Sequence, residues 1–145
     1  MAKTPPFYPQ ETDFSCAVAC LRMVLSCLGV SKTEAELREL CDCTIFGTTA
    51  LELVLAARGL GFAASSKHTL RLSDLIELTE HDYFPIVFVV SALHAPEPDV
   101  HSFVVVSATR ERVEVLDPQQ GNTLLDIDEF LERWSPLNNL AIVIA

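Results

Sequence analysis

Residues 10–29 read QETDFSCAVACLRMVLSCLG. A mostly polar lead-in, Gln10 to Ser15, gives way at Cys16 to apolar residues at helical spacing, and the pattern stops at Gly29, a residue type that closes helices with a left-handed backbone. The spacing predicts a helix over Cys16–Leu28 with a thiol at its first residue. The unpaired N–H groups and partial positive charge of a helix start lower a thiol pKa. Cys20 and Cys27 lie deeper on the same stripe and read as small core hydrophobes. Cys16 is the one reactive candidate among them.

Working outward, three more helical segments follow. SKTEAELRELC (31–41) has Ser31 or Thr33 as its cap and acidic residues in its first turn. GTTALELVLAARGLGF (47–62) starts at Thr48 or Thr49, runs to about Arg58 and is closed by Gly59 and Gly61; LSDLIELTE (72–80) is shorter. From Phe84 the pattern changes to β-branched and aromatic runs, FPIVFVVSAL (84–93) and HSFVVVSAT (101–109), as buried strands show. RVEVLD (112–117), NTLLDID (122–128) and NLAIVIA (139–145) are further strands around a short helix, DEFLERW (128–134). The expected class is α+β, an N-terminal helical layer packed on a C-terminal antiparallel β-sheet.

Composition narrows the function. A chain of 145 residues, half of them apolar, fits one domain able to bury about 68–70% of its unfolded surface. A net charge of −10 with only ten Lys and Arg argues against a nucleic-acid partner. The longest apolar run is broken by Pro85 and Ser91 and is too short to span a bilayer, and the first residues lack a signal-peptide core. A cytoplasmic protein with reduced thiols is expected, although five cysteines is an odd count. The Cys41-Asp42-Cys43 pair lacks the two further ligands of a zinc site, so neither a metal nor a cofactor is implied.

A nucleophilic cysteine needs an imidazole and a group that orients it. Of the four histidines, His68, His81, His94 and His101, only His101 leads into a strand followed by a second strand ending in an acid. A hairpin turning around Thr109–Arg110 sets His101 directly opposite Asp117, with Cβ atoms about 4.5–5.5 Å apart on one face. A one-residue slip would separate them. The plainer reading is that His101 begins a strand and Asp117 opens the turn DPQQG, where Asp is common. Gln10, just ahead of Cys16, carries an amide suited to an oxyanion, though a loop glutamine is ordinarily solvated. Spacing alone leaves these readings open.

At these residues the chain resembles the peptidase C39 family, the papain-like cysteine protease domains of bacteriocin-exporting ABC transporters. YPQETDFSCAVACLRMVLSCLG (8–29) is similar to the family's opening, with a Gln six positions before the nucleophile. GTTALELVLAARGLGF is similar to its next helix block, and HSFVVVSA…VEVLDPQQG to its His–strand–strand–Asp-Pro-x-x-Gly pattern. The resemblance covers nearly the whole chain and implies one C39-like domain over residues 1–145 with a papain-like fold. It implies Cys16 as nucleophile, His101 as general base, Asp117 as the orienting carboxylate and Gln10 as oxyanion donor. The implied reaction removes a leader peptide after a double-glycine motif through a thioester acyl-enzyme, in a cleft that admits only glycine beside the scissile bond.

The chain departs from that pattern at Ser15, where the family commonly has Asp, and at Ala17, where it usually has Gly. It also ends at Ala145 without a membrane span or nucleotide-binding domain, which suits either an excised domain or a free-standing relative serving a separate ABC exporter. Two other functions share the resemblance. One is a non-cleaving peptide-binding module, as in haemolysin-type exporters whose domain lacks the nucleophile. The other is a papain-like amidase, deconjugating enzyme or transferase acting on another acyl substrate.

Overall fold

The computed structural model describes residues 4–91 and 99–145. Ala92, Leu93 and His94, read above as a strand end and a candidate histidine, lie outside the described residues. Five helices, α1 (Cys16–Cys27), α2 (Glu34–Leu40), α3 (Ala50–Gly59), α4 (Leu72–Glu80) and α5 (Ile127–Trp134), surround six strands. These are β1 (Ser66–Thr69), β2 (Ile86–Val90), β3 (Val100–Ala108), β4 (Arg112–Asp117), β5 (Gly121–Asp126) and β6 (Leu140–Val143). They form one sheet in the order β1-β6-β2-β3-β4-β5, antiparallel at every pairing.

Local chemistry accounts for the helix boundaries. Thr33 and Thr49 each accept from a backbone N–H three residues on, while Glu36 and Glu52 reach back, so both helices open with capping boxes. Gly29 and Gly61, just past the ends of α1 and α3, have φ of 89° and 105°, the left-handed region that glycine enters without Cβ strain. Helix α1 is apolar nearly all round, and Ala17 through Leu21 together with Met23, Val24 and Leu25 are buried. Such a helix belongs in the middle of a layered structure rather than on its surface.

The sheet is covered on both faces. Ile86, Phe88, Val104, Leu116 and Ile142 pack with α1, α2 and α3 in one core. Their strand neighbours Val87, Val89, Phe103, Val105, Val113, Val115 and Ala141 pack with α4 and α5 residues Leu75, Phe130 and Trp134 in a second. Burial on both faces explains why IVFVV and SFVVV read as unbroken apolar runs instead of alternating. The expected helical layer on an antiparallel sheet is present, with two corrections. The helices form two layers, and β1 precedes α4, so the sheet is not wholly C-terminal. The polar strand SKHT (66–69) has no apolar pattern and is held by its pairing with β6.

The β3–β4 register also differs from the expected one. Near the turn Ala108 faces Val113 and Ser107 faces Glu114, but beyond a bulge Val105 faces Val115 and Val104 faces Leu116. Val106 is the extra residue. Continuing that register sets Asp117 opposite Phe103, so His101 lies two residues farther along the strand rather than directly opposite. The bulge nonetheless decides the outcome, because one extra residue exchanges the faces of everything beyond it. Ala108 and Phe103 therefore share a core despite their odd spacing. Were Val106 paired in an unbroken ladder, Asp117 would stand opposite Val104 and His101 would project from the other face.

Candidate active site

Three elements deliver the candidate triad. Cys16 is the first residue of α1, His101 the second of β3 and Asp117 the last of β4, and α1 packs on β3. His101 Nε2 donates to Asp117 Oδ1 at 2.8 Å, and both residues are buried. A diagonal pair on one face is within reach of a side chain of this length. The same Oδ1 accepts from the Gln119 N–H at 2.8 Å, and Gln120 N–H bonds to Asp117 O. Asp117 thus opens the Asp-Pro turn and hydrogen-bonds the imidazole at once. Behind the imidazole, Phe103 meets it edge-on with centroids 5.3 Å apart. Arg133 of α5 lies over the other side of Phe103 and donates to Val90 O and Ser91 O, fixing the end of β2 alongside.

With Nε2 committed to Asp117, Nδ1 is the nitrogen left for Cys16. Burial opposes a thiolate at Cys16, but a hydrogen bond from His101, its charge, the Ser102 hydroxyl and the Ala17 N–H outweigh it and lower the thiol pKa. Burial likewise opposes the imidazolium, yet hydrogen bonds to Asp117 and Cys16 and their charges lift His101 to about 9. Burial would raise Asp117, but the His101 hydrogen bond and the Gln119 N–H hold it below the usual carboxylate range. The shifts of Cys16 and His101 favour one state, a thiolate–imidazolium pair. Cys20 behaves oppositely, because full burial and then the charges of Cys16 and Asp117 push its thiol well above the ordinary range. Burial pushes Cys41 to about 12.

Cys16 and His101 open into a cleft of about 470 Å³. Its far wall is the α2–α3 connection, where a tight Thr44–Gly47 turn, with Gly47 at φ 85°, holds Ile45 and Phe46 outward at 72% and 93% exposure. Thr48 and Ser102 also line the cleft, and their hydroxyl oxygens are buried. Gln10 is placed less directly. Its N–H bonds Pro118 O at 3.1 Å, beside Asp117, but its Nε2 donates to Thr12 O at 2.7 Å and it does not line the cleft.

Comparison with known proteins gives this arrangement a family. The sequence profile of the peptidase C39 family matches residues 5–145. The chain belongs to the peptidase C39 family. It is 35% identical over 132 residues to the transport/processing ATP-binding protein ComA of Streptococcus pneumoniae, covering 89% of this chain but 17% of ComA. An uncharacterized protein of Methanothermobacter thermautotrophicus is 36% identical over 121 residues, which is 83% of this chain and 77% of that protein. Among solved structures, the peptidase domain of Streptococcus ComA, described as a bi-functional ABC transporter involved in quorum sensing, superposes with a TM-score of 0.81. That match has 27% identity and covers 98% of both chains. A double-glycine-motif protease of an AMS/PCAT transporter, solved with its leader peptide, shares the fold at a TM-score of 0.79 and 17% identity, covering 99% of this chain and 94% of that one.

The papain-like α+β fold expected of a C39 domain is therefore present. Among the described residues, no helix is long and apolar enough to cross a membrane. Of the two departures from the family pattern, Ala17 is buried in the first turn of α1 and its methyl lines the cleft beside the nucleophile. Ser15 is buried as well, with its hydroxyl turned toward Glu34. Sequence reasoning missed Ser102, Thr48, Phe46 and Glu34. The only sequence signals are a Ser inside an apolar strand run and an apolar pair, Ile45-Phe46, in an otherwise polar connection.

Proposed function

We propose that this C39 domain is a cysteine endopeptidase that acts as a single unit over residues 1–145. Its reaction removes a leader peptide after a Gly-Gly type motif through a thioester acyl-enzyme. The observation that carries the proposal is the convergence of Cys16, His101 and Asp117 on one cleft, with the thiol lowered and the imidazole raised. In this mechanism the Cys16 thiolate attacks the scissile carbonyl carbon. The resulting oxyanion is met by the Cys16 N–H at the open end of α1. Gln10 adds a second donor, which requires its amide to turn out of the Thr12 bond. His101 then gives its Nδ1 proton to the leaving amine as the C–N bond breaks, leaving a thioester. Water enters, His101 takes its proton, and hydroxide displaces the thiolate to free the leader carboxylate. Asp117 holds the imidazole throughout.

The cleft suits an extended peptide. Ile45 and Phe46 offer apolar surface, and Ala17 beside the thiol disfavours bulk near the scissile bond. The relatives that are transport/processing proteins, such as ComA, are covered by this chain to under a fifth of their length, so the precursor's route out through an ABC transporter is part of the proposal.

The test is incubation of the chain with a synthetic precursor carrying a Gly-Gly leader, followed by mass spectrometry. Hydrolysis after the second glycine by the wild type and none by Cys16→Ala supports the reading. Leader binding with no cleavage of any peptide would make it a binding module. A product mass showing capture of an added amine in place of water would make it a transferase.

A further inference from the structure

Glu34 is a carboxylate with 1% exposure in a position where a surface acid is ordinary. As the first residue of α2 it would favour the helix dipole from solvent. The capping work, however, is done by exposed Glu36, and Glu34 is turned inward. Its Oε1 accepts from the Glu11 N–H at 2.9 Å and from the Ser15 hydroxyl at 3.1 Å, 23 and 19 residues away in the chain. Its Oε2 faces Arg38 Nε as an ion pair at 3.4 Å, outside hydrogen-bond geometry. Ser15 Oγ in turn accepts from the Thr12 N–H at 3.1 Å. The Glu11 carboxylate lies 3.4 Å from Arg22 of α1 and 4.0 Å from Arg38 of α2. Arg22 is stacked on Tyr8 and donates to Lys32 O.

These contacts all close on one segment. Residues 10–15 run from the Gln10 anchor on Pro118 to the residue before Cys16, and Glu34 is the buried charge that ties their middle and end to α2. A buried carboxylate is costly unless it is paired, and here an N–H and an O–H bond Oε1 while the Arg38 guanidinium offsets the charge from 3.4 Å. A carboxylate at position 15 would meet the one at position 34. Ser15 Oγ and Glu34 Oε1 are 3.1 Å apart, and two carboxylates at that spacing cannot both stay ionised. One site holds one charge, and in this chain it comes from α2.

We propose that Glu34 is a positioning residue for the catalytic segment. From α2 it holds the Glu11 N–H and the Ser15 hydroxyl, and so sets the Gln10–Cys16 backbone and the start of α1. The inference rests on the cysteine-peptidase reading for its consequence in turnover, but not for its effect on Cys16. The site predicts reciprocal incompatibility. Glu34→Leu leaves the Glu11 N–H unpaired and removes the carboxylate that Ser15 Oγ and Arg38 face, and Ser15→Asp crowds two charges. The double variant restores one carboxylate beside Arg38.

The experiment measures the iodoacetamide rate constant at Cys16, kcat and KM for the leader peptide, and Tm, for the wild type, both single variants, Glu34→Gln and the Ser15→Asp/Glu34→Leu pair. A displaced catalytic segment costs on the order of tenfold to a hundredfold, expected in alkylation rate and kcat for each single variant with KM within about twofold. The double variant should recover to within about threefold of wild type, a non-additivity that contacting residues show. If Glu34→Leu does not fold, Glu34→Gln, which keeps the shape and loses the charge facing Arg38, gives the same comparison. A folded Glu34 variant that alkylates within about twofold of wild type, or a double variant no better than its worse parent, overturns the proposal. Absence of leader cleavage by the wild type overturns the peptidase reading alone, since alkylation at Cys16 still reads the effect of Glu34.

Discussion

Asp117→Asn tests the electrostatics of the site most directly. His101 is carried from an ordinary 6.5 to about 9, which favours the imidazolium by about 3 kcal/mol. Burial works against that charge, so the Asp117 and Cys16 contacts together supply more than the net. The Asp117 hydrogen bond at 2.8 Å leads the supporting causes. Asparagine keeps the volume and an acceptor oxygen for Nε2–H but removes the charge. A charge-assisted hydrogen bond is roughly twice as strong as a neutral one, so the His101 pKa should fall by about one to two pH units. At pH 7.5 a pKa of about 9 leaves nearly all of the imidazole protonated, and a pKa of about 7 leaves roughly a quarter. The thiolate loses its partner in step, and Cys16 should alkylate more slowly near neutral pH. The His101 ring-proton titration by NMR reads the first effect, and iodoacetamide kinetics read the second without any peptide substrate. A His101 midpoint within half a unit of wild type in the folded variant would refute the argument that Asp117 sustains the pair.

Other outcomes follow from the same geometry. At pH 7 a thiol at about 12, as for Cys41, is ionised in roughly one molecule in 10⁵. Burial leaves the Cys20 thiol protonated too, whereas contacts with His101 hold the Cys16 thiol below its ordinary range. Substoichiometric iodoacetamide should therefore label Cys16 almost exclusively over Cys41 and buried Cys20, and peptide mapping that finds comparable labelling would contradict the site. Ser102→Ala removes a hydroxyl that lowers the Cys16 pKa, so the acid limb of its alkylation profile should move upward by a few tenths to about one pH unit. Ser102→Thr should restore that limb, and a profile unchanged in the alanine variant would show that the hydroxyl does nothing for the thiolate. Deleting Val106, the unpaired residue, leaves Val105 opposite Val115 and Val104 opposite Leu116, so His101 and Asp117 should stay on one face and rapid Cys16 labelling should persist. Inserting one residue between Val104 and Val105 should instead turn His101 to the other face and abolish it, and equal rates in the two variants would dissociate the register from the site.

Most elements were legible because their signals are local. Gly29 and Gly61 close helices through their own backbone freedom, Thr33 and Thr49 cap through a neighbouring N–H, and LSDLIELTE is α4 over its full length. Cys16, His101 and Asp117 were also legible, since each stands at the end of an element whose type its neighbours set. The polar strand Ser66–Thr69 was not, because only its partner β6 makes it a strand. The cleft wall at Ile45 and Phe46 was missed for a similar reason, since two apolar residues in a connection carry no period.

By itself, the sequence determined the order and type of the elements and the thiol at a helix start, because propensity, capping and periodicity act within a few residues. Tertiary structure decided how those ends meet. Leaving Val106 out of the ladder set His101 and Asp117 on one face, and packing on both sides of the sheet settled the register around it. Tertiary structure likewise turned Glu34 from a helix-start acid into the partner of Ser15, a choice made by burial and by charges far apart in the chain.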